Sequence, residues 1–164
     1  MEPLALARTT TPTAQRYAAF WSQLLPLSNH QTGFSIRGLR RQASIEFCYL
    51  GFCFRYWLHD DQPDVRVQFA LERSDADTIY ETLTHSRAAI NETFGAPLEW
   101  HYAPFTTTSQ ASLYEIAYRI PSLPLRDLPE AEWPDLQAQM IDAMVRLERT
   151  LFPRLQSWFD DDFL

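Results

Sequence analysis

Two cysteines in the stretch "FCYLGFCF", residues 47 to 54, are the first residues whose type and spacing could do chemistry. Leu50 and Gly51 suit the centre of a two-residue hairpin turn, because glycine readily takes a positive φ, and Cys48 then faces Cys53. Such a pair can form a disulfide, hold part of a metal site, act as a redox pair or pack as two small apolar side chains.

The position of the pair on a hairpin decides between these roles. Directly opposed strand residues form a disulfide only with some strain, and a redox pair usually occupies Cys-x-x-Cys at a helix start. A metal site needs about four ligands, and His59 is the clear further ligand on the same face. We therefore predict two reduced, modestly packed thiols, with an oxidisable pair and a metal site as alternatives.

The same register gives every other position of the hairpin a favourable partner. It pairs Tyr49 with Phe52, Phe47 with Phe54, Glu46 with Arg55 and Ile45 with Tyr56. A slip by one residue would destroy all of these pairs. One face is apolar and must face the core: Ile45, Phe47, Tyr49, Phe52, Phe54, Tyr56 and Leu58. The outer face carries Glu46, Cys48, Cys53, Arg55, Trp57 and His59.

A histidine and three carboxylates follow directly in "HDDQPD", as His59, Asp60, Asp61 and Asp64. These side-chain types could hold the metal ion of a hydrolase. Aspartate and proline are also favoured in turns for backbone reasons, and no second ligand cluster is visible in the sequence. We predict a polar turn and keep the metal site as the alternative.

The basic residues exclude several chemistries. All of the 14 basic residues are arginine, so there is no lysine for a Schiff base, a phosphate-binding loop or the common nuclease signature. With a net charge of −7 and no basic cluster beyond Arg40-Arg41, binding to nucleic acid backbones is not expected. No catalytic residue and no cofactor is predicted.

The length and composition fit a single domain spanning residues 1–164, with a core at about 12–159 and an acidic tail at 160–164. The chain is 46% hydrophobic, and no apolar run approaches the ~20 residues that a membrane span requires. The N-terminus lacks the basic leader and apolar core of a signal peptide. A cytoplasmic location with reduced thiols is expected.

The elements that must position these residues follow from periodicity and from turn signals. A helix begins with a Thr11 cap and ends at Pro26 and the polar "SNHQTG" stretch. Three strands follow, at about 43–50, 52–59 and 65–72, and a helix runs from the Ser74 cap to Gly95, with Ile79, Leu83, Ile90 and Phe94 as its buried stripe. Two strands, "LEWHY" and "SLYEIAYRI", precede a last helix that begins near "PEAEWPDL" and is broken or kinked at Pro153. The order helix, three strands, helix, two strands, helix predicts an antiparallel α+β domain.

From about Thr13 to Phe159 the chain resembles the bacterial and archaeal domain-of-unknown-function family 4268. The resemblance is carried by "FW" at Phe20-Trp21, "VRVQFALER" at Val65 to Arg73, "INETFGAPLEW" at Ile90 to Trp100, "EWP" at Glu132 to Pro134 and "LERTLFPRL" at Leu147 to Leu155. Longer members carry this domain behind a nuclease-like region. The resemblance implies an accessory or interaction module, with no catalytic residue to transfer.

The element order is also similar to that of the small acidic dimeric chaperones of bacterial secretion systems, which implies protein recognition and a homodimer. Arg55 and Trp57 on the outer face are of the types enriched in binding hot spots, although a helix or a second subunit could cover them. Phe163 and Leu164 follow three aspartates at the C-terminus and would suit a shallow pocket on a basic partner. We therefore expect a non-enzymatic, homodimeric protein-binding module. The alternative is a metal-dependent hydrolase or nuclease accessory that uses the loop at 59–64.

Overall fold

The computed structural model describes residues 12–33, 36, 41–49, 51–69, 75–103 and 113–160. In these ranges the strands are β1 (Ser44–Tyr49), β2 (Phe52–Leu58), β3 (Pro63–Phe69), β4 (Glu99–Ala103) and β5 (Leu113–Arg119). The helices are α1 (Pro12–Gln31), α2 (Ala76–His85), α3 (Arg87–Phe94) and α4 (Trp133–Asp160), and two short 3-10 turns, Leu125–Asp127 and Glu130–Glu132, precede α4. The strands form one antiparallel sheet in the order β1-β2-β3-β5-β4, so the predicted α+β class is confirmed.

The predicted register of the β1–β2 hairpin is confirmed at every pair. Glu46 lies opposite Arg55, Cys48 opposite Cys53, and the aromatic pairs follow on either side. Gly51 has a φ of 87°, the left-handed conformation that the turn requires and that glycine adopts without steric cost. The predicted core face is also buried, except that Tyr49 at the tip of the hairpin is exposed and Phe47 half-buried.

The helices cover one face of the sheet, and the core lies between that face and the helices. Phe20 packs edge to face against Trp21 and Trp133, with ring centroids 5.2 and 5.6 Å apart. The Trp21 Nε1 donates to the backbone oxygen of Gln42 at 2.8 Å, which ties α1 to the chain just before β1. Two motif residues of the family resemblance are therefore structural. Across the described residues, none of the helices combines the length and the apolar character needed to cross a bilayer.

Pro26 and Pro153, which were predicted to help end one helix and to break or kink another, lie inside helices. Helix α1 continues past Pro26 and ends at Gln31, within the polar stretch that was predicted to end it, and α4 continues past Pro153 to Asp160. An interior proline removes a backbone hydrogen bond and costs about 3 kcal/mol. Both prolines are exposed, whereas Leu25 and Leu151 beside them are buried, so burial of the helix faces outweighs that cost.

The helix predicted up to Gly95 is interrupted at Ser86, which separates α2 from α3. The sequence just before the break is rich in threonine, and Thr82 and Thr84 each donate from Oγ1 to the backbone oxygen four residues earlier, at 2.7 Å. Threonine has a low helix propensity, and this back-bonding bends helices. The predicted stop at Gly95 is confirmed by its φ of 94°, whereas the predicted Ser74 cap lies outside the described residues.

Candidate functional site

Alternate residues of the strands point away from the helices and form three rows that cross the sheet. We call this surface the open face. The first row is Glu46, Arg55, Arg66, Ala117 and Glu99. The second is Cys48, Cys53, Gln68, Glu115 and His101, and the third is Ser44, Trp57, Asp64 and Arg119. Four carboxylates and three guanidiniums thus share one surface, which is nearly balanced in charge.

An ion-pair cluster occupies the centre of the open face. Arg66 donates from Nε to Asp64 Oδ1 at 3.0 Å and from Nη1 to Glu115 Oε2 at 2.6 Å. The side chains of Asp64, Arg66 and Glu115 are only 3%, 11% and 12% exposed. Burial would lower the pKa of Arg66, but the two carboxylates outweigh it and raise that pKa above its ordinary value. Arg66 is therefore paired with both carboxylates in a nearly buried position.

Trp57 lies beside this cluster, where its indole contacts charged neighbours. The guanidiniums of Arg66 and Arg55 lie 4.6 and 5.2 Å from its ring centroid, and the His59 ring stacks on it at 4.2 Å. Arg55 is held in turn by Glu46, to which its Nε donates at 2.9 Å. Cation–π contacts and the ion pair fix the Trp57 ring as a half-buried, rigid aromatic surface.

A second, more exposed group lies toward the β4 edge. Arg119 contacts Glu99 at 3.0 Å and Asp61 at 3.6 Å, and His101 lies 3.1 Å from Glu99. Partial burial would raise the pKa of Glu99, but His101 and Arg119 outweigh it and lower that pKa below its ordinary value. A shallow cavity of about 360 Å³ lies between this group and the central cluster.

The loop proposed as a metal site is only partly assembled. His59 Nε2 lies 2.7 Å from Asp64 Oδ2, but Arg66 binds the same carboxylate. Asp60 is exposed, and Asp61 accepts a hydrogen bond from the backbone N–H of Gln62 at 2.9 Å. Among the described residues, no three of His59, Asp60, Asp61 and Asp64 bring their ligand atoms within 4.8 Å of one another.

The prediction of reduced thiols at Cys48 and Cys53 is wrong for this structure. The two residues form a disulfide, with their Cα atoms 4.0 Å apart. The reason is the register itself, since directly opposed strand residues approach closely enough to bond once oxidised. The disulfide lies on the open face, one row from the Glu46–Arg55 pair.

The Glu46–Arg55 pair allows a test of the hairpin in solution. An exposed cross-strand ion pair is worth about 0.2–1 kcal/mol. Reversing both charges, as Glu46→Arg with Arg55→Glu, is therefore expected to cost less in unfolding free energy than either single reversal, as measured by urea denaturation. A double variant that loses the sum of the two single losses would contradict the pairing.

The structure describes one of the two regions that were predicted to bind a partner, but not the other. Arg55 and Trp57 are side by side on the open face, as the register predicted. Phe163 and Leu164 lie outside the described residues. Arg66 and Glu115 were not predicted to belong to the site. The alternation of charged and apolar residues in "PDVRVQF" indicates a strand with Arg66 on its polar face.

The fold and the open face define an α+β domain with one helix-covered and one polar sheet face. Residues 16–155 match the model of a family described as Domain of unknown function (DUF4268), and the chain belongs to that family, as its motifs predicted. No curated protein and no solved structure matches the chain.

Proposed function

We propose that this chain is a non-enzymatic protein-binding or accessory module whose contact surface is the open face of the sheet. The observation that carries the proposal is that no described helix covers this face, on which Trp57 lies beside the central cluster in contact with two arginines. Tryptophan and arginine are the residue types most enriched in binding hot spots. Their fixed positions also reduce the side-chain entropy lost on binding.

The charges of the open face favour a protein partner over a nucleic acid. Its four carboxylates would repel phosphates, and the chain as a whole carries a net charge of −7. At its centre Arg66 donates hydrogen bonds to both Asp64 and Glu115, which supports recognition rather than acid–base catalysis.

A second copy of the chain is the first partner to consider. A two-fold interface brings the same surface of both subunits together and therefore needs a self-complementary surface. Carboxylates and arginines are interspersed on the open face, so such a pairing can place opposite charges against each other. A cytoplasmic homodimer, in a chaperone-like or defence-associated role, is the form of the function that we propose.

Replacing the aromatic residue tests this function. Trp57→Ala is expected to weaken the contact by about 30-fold or more, the size of a binding hot spot of ~2 kcal/mol. Analytical ultracentrifugation measures the dissociation constant of a dimer, and quantitative affinity capture from cells measures any other partner.

Trp158→Ala is the matched control, because Trp158 is also half-buried but lies in α4 rather than on the open face. Circular dichroism checks that both variants fold. The proposal is overturned if Trp57→Ala and Arg55→Ala keep both self-association and captured proteins at wild-type levels.

A further inference from the structure

Glu46, Cys48 and Cys53 place three potential metal ligands together on the open face. A carboxylate oxygen of Glu46 and the Sγ atoms of Cys48 and Cys53 all lie within 4.8 Å of one another. Within the described part of the chain, these three side chains form the group of potential ligands that lie close enough together to hold a metal ion. Two thiolates and a carboxylate are a ligand set that Zn²⁺ accepts.

We propose that the Cys48–Cys53 disulfide masks a Zn²⁺ site, which forms when the disulfide is reduced. Both thiolates and the Glu46 carboxylate are the protein ligands, and water takes the fourth tetrahedral position. In the oxidised protein the sulfurs are bonded to each other and do not ligate as thiolates. The oxidation state of Cys48 and Cys53 thus determines whether the open face can bind a metal ion.

The redox step needs a reductant, which is a dithiol in the cell and, in the experiment below, a phosphine that becomes its oxide by taking an oxygen atom from water. A dithiol transfers two electrons and two protons, so that the S–S bond breaks, two cysteine thiols form and the reductant becomes a disulfide. Binding of Zn²⁺ then displaces both thiol protons, because thiolates are the ligands. The cytoplasm, where this protein is proposed to act, supplies reductants of this class.

The hairpin holds the ligands in position without the disulfide. Cys48 and Cys53 lie directly opposite each other in the β1–β2 ladder, and Phe47 faces Phe54 as the next pair, on the core side. The Glu46–Arg55 ion pair is the next pair on the open face. Reduction therefore leaves the two thiols side by side.

Solvent and metal can also reach the site. Cys48 is exposed and Cys53 half-buried, and a cavity of about 490 Å³ lies beside them. That cavity is lined by Gln42, Ser44, Ile45, Glu46, Cys48 and Arg55. Arg55 donates both of its hydrogen bonds to Oε2 of Glu46, so Oε1 has no hydrogen-bond partner among the described residues and is open to a cation.

Cobalt substitution tests the proposal, because Co²⁺ takes the same tetrahedral thiolate sites and is visible by absorption. The protein is reduced with a phosphine, which is then removed under nitrogen, and Co²⁺ is added. We expect thiolate-to-cobalt charge-transfer bands and tetrahedral d–d bands, both lost when one equivalent of Zn²⁺ is added. The oxidised protein is expected to show neither set of bands.

Variants assign the ligands. The double variant Cys48→Ser with Cys53→Ser is expected to lose the bands, and Glu46→Gln to weaken Zn²⁺ binding by about tenfold or more, since even residues that only support ligands contribute about 10–100-fold. Glu92→Gln, an exposed carboxylate in α3, is the matched control and should bind as the wild type does. The proposal is overturned if the reduced wild type binds no more metal than the double serine variant, or if Glu46→Gln binds as tightly as the wild type.

Discussion

Asp64→Asn is expected to lower the free energy of unfolding by about 2–3 kcal/mol, because it leaves the Arg66 guanidinium short of a charged partner in a nearly buried position. Breaking a fully buried pair costs about 3–5 kcal/mol, and the loss here is smaller because Glu115 still binds Arg66. Asparagine keeps the size of the side chain, so the change is mainly electrostatic. Urea denaturation, with the midpoint and the slope fitted separately, gives the value.

Asp142→Asn is the matched control for that experiment. Asp142 pairs with Arg146 one helical turn away in α4, and its side chain is 68% exposed. Surface ion pairs of this kind contribute about 0.3–0.5 kcal/mol. Equal losses for the two variants would show that the central cluster of the open face is no more buried in solution than an ordinary surface pair.

Reduction of the Cys48–Cys53 disulfide is expected to lower the free energy of unfolding by about 2 kcal/mol, since the bond closes a short loop and restricts the unfolded chain. The sequence separation of the two cysteines is 5, so the effect falls at the small end of the usual range. Thermal unfolding with and without a phosphine reductant, in the presence of a metal chelator, measures the difference.

The double variant Cys48→Ser with Cys53→Ser separates the disulfide from other effects of the reductant. Its melting temperature should equal that of the reduced wild type and should not respond to the reductant. If the wild type melts at the same temperature in both conditions, the thiols are reduced in solution, as the sequence analysis predicted.

The hairpin shows how much of the fold could be predicted from sequence. Its register followed from local pairing alone: Gly51 provides the turn, and each cross-strand pair on either side is chemically complementary. The same register placed Arg55 and Trp57 together on one face. Local information was sufficient there because the interacting residues are few positions apart in the chain.

The central cluster could not be predicted in this way. Glu115 reaches Arg66 only because β5 pairs with β3, and a list of strands in chain order does not determine which strands become neighbours. The continuation of the helices past Pro26 and Pro153 depends likewise on burial against distant residues, which outweighs a local helix-breaking signal. The oxidation state of Cys48 and Cys53 depends on chemistry outside the sequence pattern.

Site-specific photo-cross-linking tests most directly whether the open face contacts another protein. A benzophenone amino acid is placed at Glu46 or His101, which are exposed on the open face, and at Glu81 or Arg149, which are exposed on the helices as controls. Irradiation of intact cells is predicted to give a discrete cross-linked product, either a dimer of this chain or one other protein, from the open-face positions only. Products of equal yield from the helix positions, or none from the open face, would contradict the proposal that this face binds a protein.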